Sequence, residues 1–308
     1  METALTVAGP LDAAGTLARF RLWGEDPANR LHDGVFHRAV RVDGRWWGYT
    51  VRAAGGTEEA RLVVSVPGAR GRRPLDVAVA EAGRIFGLEL DLPAFHRAAA
   101  SDPVLSHLVA RLRGLRPTLA PQPFEMLVGS ICAQQVNLTF AFTVRRRLVL
   151  RYGTPVRVSG QTVYAFPEPA VLGAASTSEL RAMQFTTRKS EYIVDLARRV
   201  AAGELDLDGL RHRPNEEVID TLTKVRGFGR WTAEWFLARC LGRGDVCPAG
   251  DLGVRKAFTH FYGRRGRALS ERAIRRRSRG WGPHQNLAVH YLLAGQRLAL
   301  AATVGGGT

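Results

Sequence analysis

Leu222-Thr-Lys-Val-Arg-Gly227-Phe-Gly229-Arg-Trp-Thr-Ala233 is the stretch that decides the fold. A helical pattern over 215–224 ends in it, a Gly-x-Gly turn follows, and a second helical pattern starts near Arg230. Glycine allows the chain to turn sharply and to approach a partner closely. The first N–H groups of a helix have no partner inside it, point outward and favour a phosphate. Two readings fit: an ordinary junction between packed helices, or a clamp on a nucleic-acid backbone.

The charge of the whole chain bears on that choice. Its 308 residues carry 44 Lys+Arg against 28 Asp+Glu, a formal charge of +16, with a pI near 11.0. Such a chain attracts polyanions: DNA, RNA or an anionic membrane surface. Only Lys189, Lys224 and Lys256 are lysines, so arginine is used throughout and no single one is read as a bidentate contact. No run approaches the ~18–20 apolar residues of a bilayer-spanning helix. METALTVAGPLDAAG has no basic region ahead of an apolar run, so no secretory signal is expected. Cys132, Cys240 and Cys247 are too scattered for a disulfide framework, which fits a reducing compartment. The expected location is cytoplasmic, associated with the nucleoid.

At ~100–200 residues per domain the chain has room for about two. VFHRAVRV (35–42), RWWGYTVRA (45–53) and ARLVVSV (60–66), separated by Asp-Gly and Gly-Gly, predict antiparallel strands. A helix is expected over 75–86, and GLELDLPAFHRAAASDP (87–103) reads as a hinge. From about Val104 helical periodicity takes over. PFEMLVGSICAQQVNLTFAFTVRRRLVLRYG (123–153) holds one helix or two, starting at Pro123 and ending at Gly153. Further helices are predicted over 178–184, 188–202, 215–224, 230–241, 252–262, 270–278 and 283–300. The predicted architecture is mainly α: a β-rich α+β domain over 1–103, an all-helical domain over 104–300 with its hairpin at 215–241, and a flexible tail, 301–308.

Beyond the hairpin comes Val246-Cys-Pro-Ala-Gly-Asp251-Leu-Gly-Val-Arg-Lys-Ala-Phe258. Asp251 is placed to cap a new helix, a role worth ~0.5–2 kcal/mol. A carboxylate held beside a backbone clamp would also face a nucleotide drawn out of a duplex. Both readings stand at this point.

Together these residues resemble the helix–hairpin–helix DNA glycosylase superfamily, and most closely its 3-methyladenine DNA glycosylase II family. The likeness is carried by DPVL (102–105), GLRP (114–117), PFEMLVGSICAQQVN (123–137), RKSEYIVDLA (188–197), VRGFGRWTAEWF (225–236), PAGDLGVRKAF (248–258) and WGP (281–283). The resemblance implies two helical subdomains behind the β-rich domain. It also implies a base-excision enzyme that flips alkylated purines of the 3-methyladenine and 7-methylguanine type out of double-stranded DNA. Asp251 would be the catalytic carboxylate, stabilising positive charge on the sugar or orienting water. Trp231 stands where strand-nicking members place a lysine, and tryptophan forms no Schiff base, so a monofunctional hydrolase is expected. Three cysteines do not supply the four ligands of a [4Fe–4S] centre, so no cofactor is expected, and Cys240 and Cys247 are read as packing residues.

By the same likeness Trp231, Trp235, Leu252 and Leu293 line the base pocket. Trp231 and Trp235, four residues apart, share a helix face, where they would stack on an electron-poor base or pack in the core. Leucines at 252 and 293, where relatives carry aromatics, imply a more aliphatic pocket. Gln134 and Gln135 would carry the wedge that fills the gap left by the flipped base, or form a plain polar turn. Gly227, Gly229 and Thr232 would offer N–H groups to phosphate, with Arg230 also in the DNA interface. Carbonyls of Thr223, Val225 and Phe228 would face a monovalent or hydrated cation. The arginines at 264, 265, 267, 272, 275, 276, 277 and 279, against Glu271 alone, form a solvated face or further phosphate contacts. A monomer is expected. The other functions to weigh are the same fold acting on deaminated or oxidised bases, and a non-catalytic module that binds damaged DNA.

Overall fold

Strand β1 (Glu2–Thr6) opens the chain, followed by two short helices, α1 (Ala13–Leu17) and α2 (Arg19–Leu22). Four strands come next: β2 (Arg30–His32), β3 (Val35–Val42), β4 (Arg45–Ala54) and β5 (Arg61–Ser65). The computed structural model describes residues 1–264 and 267–305, with side chains described through Leu300. Asp33-Gly34 and Asp43-Gly44 each place two successive residues at positive φ. That geometry matches the twist of the flanking strands and closes the tight hairpins β2–β3 and β3–β4. The antiparallel sheet runs β1-β5-β4-β3-β2. The three strands expected from 35–42, 45–53 and 60–66 are present; β1 and β2 were not expected.

Side chains alternate across the sheet. Phe36, Val40 and Val42 of β3 face a core shared with α3 (Arg72–Ile85), whereas Ala39 faces the other way. That second face is covered by a hairpin, β6 (Thr154–Val158) and β7 (Gln161–Ala165). The region after Val104 is therefore not all-helical: Val158, Val163 and Ala165 are needed to cover Ala39 and its neighbours. Gly48 makes room for this, since a Cβ there would lie 2.6 Å from Cβ of Val158.

The remaining elements are helices: α4 (Leu92–Ala99), α5 (Pro103–Arg111), α6 (Pro123–Ala133), α7 (Leu138–Tyr152), α8 (Pro169–Ala174), α9 (Thr177–Ala182), α10 (Thr187–Ala201), α11 (Asn215–Thr223), α12 (Arg230–Arg239), α13 (Leu252–Tyr262), α14 (Glu271–Arg279) and α15 (Gln285–Gly305). They form two cores, one built on α6, α7, α10, α11 and α12, the other on α4, α5, α13, α14 and α15. The stretch read as a hinge is thus mostly α4. Its stripe of Leu92, Phe95 and Ala99 is buried against the last helix, with the Phe95 and Tyr291 rings 4.9 Å apart. A boundary at 103 would cut α4 from the core that it helps to form. The tail expected from 301 is also shorter, because α15 runs to Gly305; 306–308 lie outside the described residues. Among the described residues no helix is long and apolar enough to cross a membrane.

A buried charge network ties the sheet to the helices. Arg38 of β3 reaches Glu81 of α3 at 2.8 Å and Glu125 of α6 at 2.6 Å. Arg145 of α7 reaches Glu125 at 2.7 Å and Asp26 at 3.1 Å. Burial alone would raise the Glu125 pKa, but the guanidiniums of Arg38 and Arg145 outweigh it and hold the carboxyl at about 2. Arg116, 2% exposed, donates to the carbonyls of Ala8, Pro10, Gly87 and Leu90 and so holds the N-terminal segment down.

Candidate active site and nucleic-acid interface

Val225 and Phe228 anchor the turn between α11 and α12, both buried in the first helical core. The Val225 N–H donates to the Leu222 carbonyl and the Phe228 N–H to the Val225 carbonyl, each at 3.0 Å. Gly227 has φ +90, and a Cβ on it would lie 2.4 Å from the Tyr192 ring. Here glycine is required both by conformation and by close approach. Gly229 caps α12 from an extended conformation, and nothing lies within 4 Å of where its Cβ would be. The N–H groups of Arg230, Trp231 and Thr232 follow at the helix N-terminus. Thr232 is buried, main chain included, and the Arg230 side chain pairs with Glu234 at 2.9 Å and Glu216 at 3.5 Å. The carbonyls of Thr223, Val225 and Phe228 belong to this turn, and that of Val225 keeps a second lone pair beyond its bond to Phe228.

Asp251 is the N-cap of α13, its Oδ1 accepting from the Val254 N–H at 2.9 Å. Its Oδ2 accepts from two indoles, Trp231 Nε1 at 2.7 Å and Trp235 Nε1 at 3.2 Å. Capping and a functional orientation are therefore compatible: one oxygen holds the helix, the other is held by α12. All three residues line a cavity of about 370 Å³ that reaches from the helices to the N-terminal domain. Trp235 also packs against both helical cores.

Leu293 lines this cavity but Leu252 does not: it is 64% exposed. As the first helical residue after the Asp251 cap it turns to solvent, and Gly253 takes its place on the wall. Gln134 ends α6, and its Nε2 donates to the Gly227 carbonyl at 2.8 Å, tying the two loops together. Gln135 is exposed, at φ +55. Sequence reading missed Arg19, Arg239 and His290, which also line the cavity. The available signal was helical spacing: Arg239 is four residues beyond Trp235, and His290 three before Leu293.

The arginine-rich segment divides by partner. Arg275 bridges Glu234 and Glu271, each at 2.7 Å. Arg277 stacks 3.6 Å from the Tyr262 ring centroid and reaches Asp102 at 3.4 Å. Arg272, Arg276 and Arg279 are exposed, and Arg265 lies outside the described residues. Cys132, Cys240 and Cys247 are buried as free thiols, and burial pushes their pKa values up to about 11, 12 and 11. Among the described residues no group of three or more His, Cys, Asp or Glu is placed to hold a metal ion.

The geometry has counterparts among known proteins. The DNA-3-methyladenine glycosylase of Bacillus subtilis is 33% identical over 169 residues, 55% of this chain and 56% of that protein. The chain thus spans about half the length of this curated relative. The solved 3-methyladenine DNA-glycosylase from Archaeoglobus fulgidus superposes with a TM-score of 0.85 at 27% identity, over 96% of this chain and 98% of that one. The Schizosaccharomyces pombe 3-methyladenine DNA glycosylase, solved in complex with abasic DNA, matches with a TM-score of 0.58 at 25% identity, over 67% and 98%. The family model for HhH-GPD superfamily base excision DNA repair proteins matches residues 128–283, which hold the α11–α12 hairpin, the two tryptophans and Asp251. With half of the chain matched by that family model, the protein belongs to the HhH-GPD superfamily of base excision DNA repair proteins.

Proposed function

We propose that the chain is a DNA glycosylase that binds double-stranded DNA, flips out an alkylated purine of the 3-methyladenine or 7-methylguanine type, and leaves an abasic site. The observation that carries this reading is Asp251, a carboxylate on a cavity wall with both oxygens held by N–H donors. As the bond from C1′ to the base breaks, its electron pair leaves with the base and positive charge builds on the sugar. A carboxylate already fixed beside that sugar stabilises the charge without rearranging. Water then bonds to C1′ and gives up a proton. An alkylated purine carries its own positive charge, so it departs without a strong acid, and one carboxylate is enough. The indoles add cation–π attraction for such a base, ~0.5–2 kcal/mol.

The N–H groups after Gly229 would take a DNA phosphate, and exposed Gln135 would enter the gap that the base leaves. The carbonyls of Thr223, Val225 and Phe228 would hold a hard monovalent or hydrated cation beside that phosphate. No lysine is among the described residues lining the cavity, which supports hydrolysis without strand nicking.

The deciding experiment is mass analysis of bases released from methylated duplex DNA by wild type and by Asp251→Asn. The expected result is release of 3-methyladenine or 7-methylguanine by wild type alone, with duplex binding kept in the variant. Undiminished turnover by Asp251→Asn removes the role given to the carboxylate, and binding without any release leaves a non-catalytic module.

A further inference from the structure

The arginines of α14 sort by their position around the helix. Ile274 and Ser278 are buried and define its inward face. Arg275, to one side of that face, bridges Glu234 of α12 and Glu271. Arg277, to the other side, lies over the Tyr262 ring and reaches Asp102. These two dock the helix. Arg272, Arg276 and Arg279 recur at intervals of four and three, so they form one stripe, on the side away from Ile274 and Ser278. All three are exposed, and among the described residues none of them forms an ion pair.

The stripe starts beside the hairpin and the Asp251 loop. Glu234 is buried and accepts from Arg230 at 2.9 Å and from Arg275 at 2.7 Å. One carboxylate therefore joins the first residue of α12 to the middle of α14. A Glu271 oxygen lies 3.5 Å from where a Cβ on Gly250 would be, which sets the first turn of α14 against the loop that ends in Asp251. The helix is thus fixed both to the hairpin and to the segment that carries the carboxylate. Arg272 and Arg276, one turn apart, repel each other in the free protein, and a polyanion laid along the stripe removes that cost.

We propose that Arg272, Arg276 and Arg279 form a second backbone contact, which holds phosphates of undamaged duplex flanking the segment gripped by the hairpin. This rests on the DNA-binding part of the glycosylase reading and not on its chemistry. The outer two are seven residues apart, about 10 Å along the helix. One DNA strand carries a phosphate about every 3.4 Å of its axis, so the stripe covers about three of them. An anionic membrane does not suit this helix. A helix lying on a lipid surface buries an apolar face in it, and Ile274 of α14 is already packed in the second helical core. Phosphate contacts carry no sequence information. They add affinity for any duplex, so the protein stays on undamaged DNA between lesions, while the site at Asp251 acts only where a base is flipped.

The test is fluorescence anisotropy on a lesion-free duplex across a salt series. It compares wild type with a stripe variant, Arg272→Gln/Arg276→Gln/Arg279→Gln, and with R272K/R276K/R279K. A control, Arg61→Gln/Arg70→Gln/Arg157→Gln, removes three exposed charges from the N-terminal sheet and its covering hairpin. In the stripe variant affinity should fall about tenfold, and the slope of log affinity against log salt should drop by about 2 to 3. The lysine variant keeps the three charges and the wild-type slope, as does the control. The stripe variant should melt no lower than wild type, since like-charge repulsion is removed. An unchanged slope in the stripe variant, or an equal drop in the control, makes α14 a solvated face and overturns the contact. Base release by wild type is read separately: its absence overturns the glycosylase reading and leaves the contact standing, whereas a wild type that does not bind the duplex overturns both.

Discussion

The Trp231 indole N–H sits 2.7 Å from Oδ2 of Asp251, which makes the side chain at this hairpin position an orienting donor for the carboxylate. Trp231→Phe keeps an aromatic ring, though a smaller one, and deletes the donor. A hydrogen bond to a charged group contributes ~1.5–3 kcal/mol. Base release should fall by about 10- to 100-fold, with a drop of a few degrees in melting temperature. Single-turnover kinetics beside a thermal melt check this, and an undiminished rate would show that Trp235 and the helix cap suffice to hold Asp251.

Asp251 has a second role, which separates by substitution. Asn caps a helix as well as Asp does, whereas Ala forfeits ~0.5–2 kcal/mol. Asp251→Asn keeps one oxygen for the Val254 N–H and gives up the acceptor facing the indoles, so it should melt below wild type but above Asp251→Ala, while both lose base release. Equal melting temperatures for the two variants would indicate that the bond to Val254 contributes nothing to stability.

The buried network sets an acid limit. Glu125 is held at about 2 in the folded chain, below an unfolded value near 4.5. Its contribution is present above that unfolded value and is lost as pH falls towards 2. Glu125→Gln should unfold more easily at pH 7, by ~3–5 kcal/mol, because Arg38 and Arg145 lose a shared partner. The gap to wild type should narrow as pH drops below about 4.5. Denaturant melts at pH 7 and pH 3.5 measure it, and a gap that stays constant would mean that Glu125 does not titrate with folding.

Gly227→Ala places a methyl group against the Tyr192 ring and strains a backbone at φ +90. The turn should distort and duplex affinity should drop by about tenfold or more, with a stability loss of ~1–3 kcal/mol. Fluorescence anisotropy on a lesion-free duplex reads the affinity. Wild-type binding by this variant would remove the hairpin from the DNA interface.

Much of this architecture was legible because local chemistry and tertiary structure agree. Pro123 and Gly153 bound the α6–α7 pair, and α13 begins and ends where its Asp251 cap and Gly263 place it. Legibility failed where a partner distant in sequence decides. The strand pair 154–165 is only five residues to a strand, and its role depends on a sheet face that needs covering. The helix 92–99 was hidden by Pro93, which sits comfortably in a first turn. At the site, helical spacing carried Trp231 and Trp235 to one wall, but the direction of Leu252 depended on cap geometry. The two carboxylates that hold Arg145 come from α6 and from the loop before β2, a pairing that no local pattern announces.

The bond from Gln134 to the Gly227 carbonyl has a mechanical meaning. It braces the loop after α6 against the α11–α12 turn, so the distance between these two loops is set before any nucleic acid arrives. On the proposed function, a duplex gripped at one and probed at the other would meet a spacing already set. The work of bending then falls on the DNA, and it is least where a damaged base has already weakened the stack. On the proposed function, such a strut would let the protein test stiffness along a helix before any base has left it.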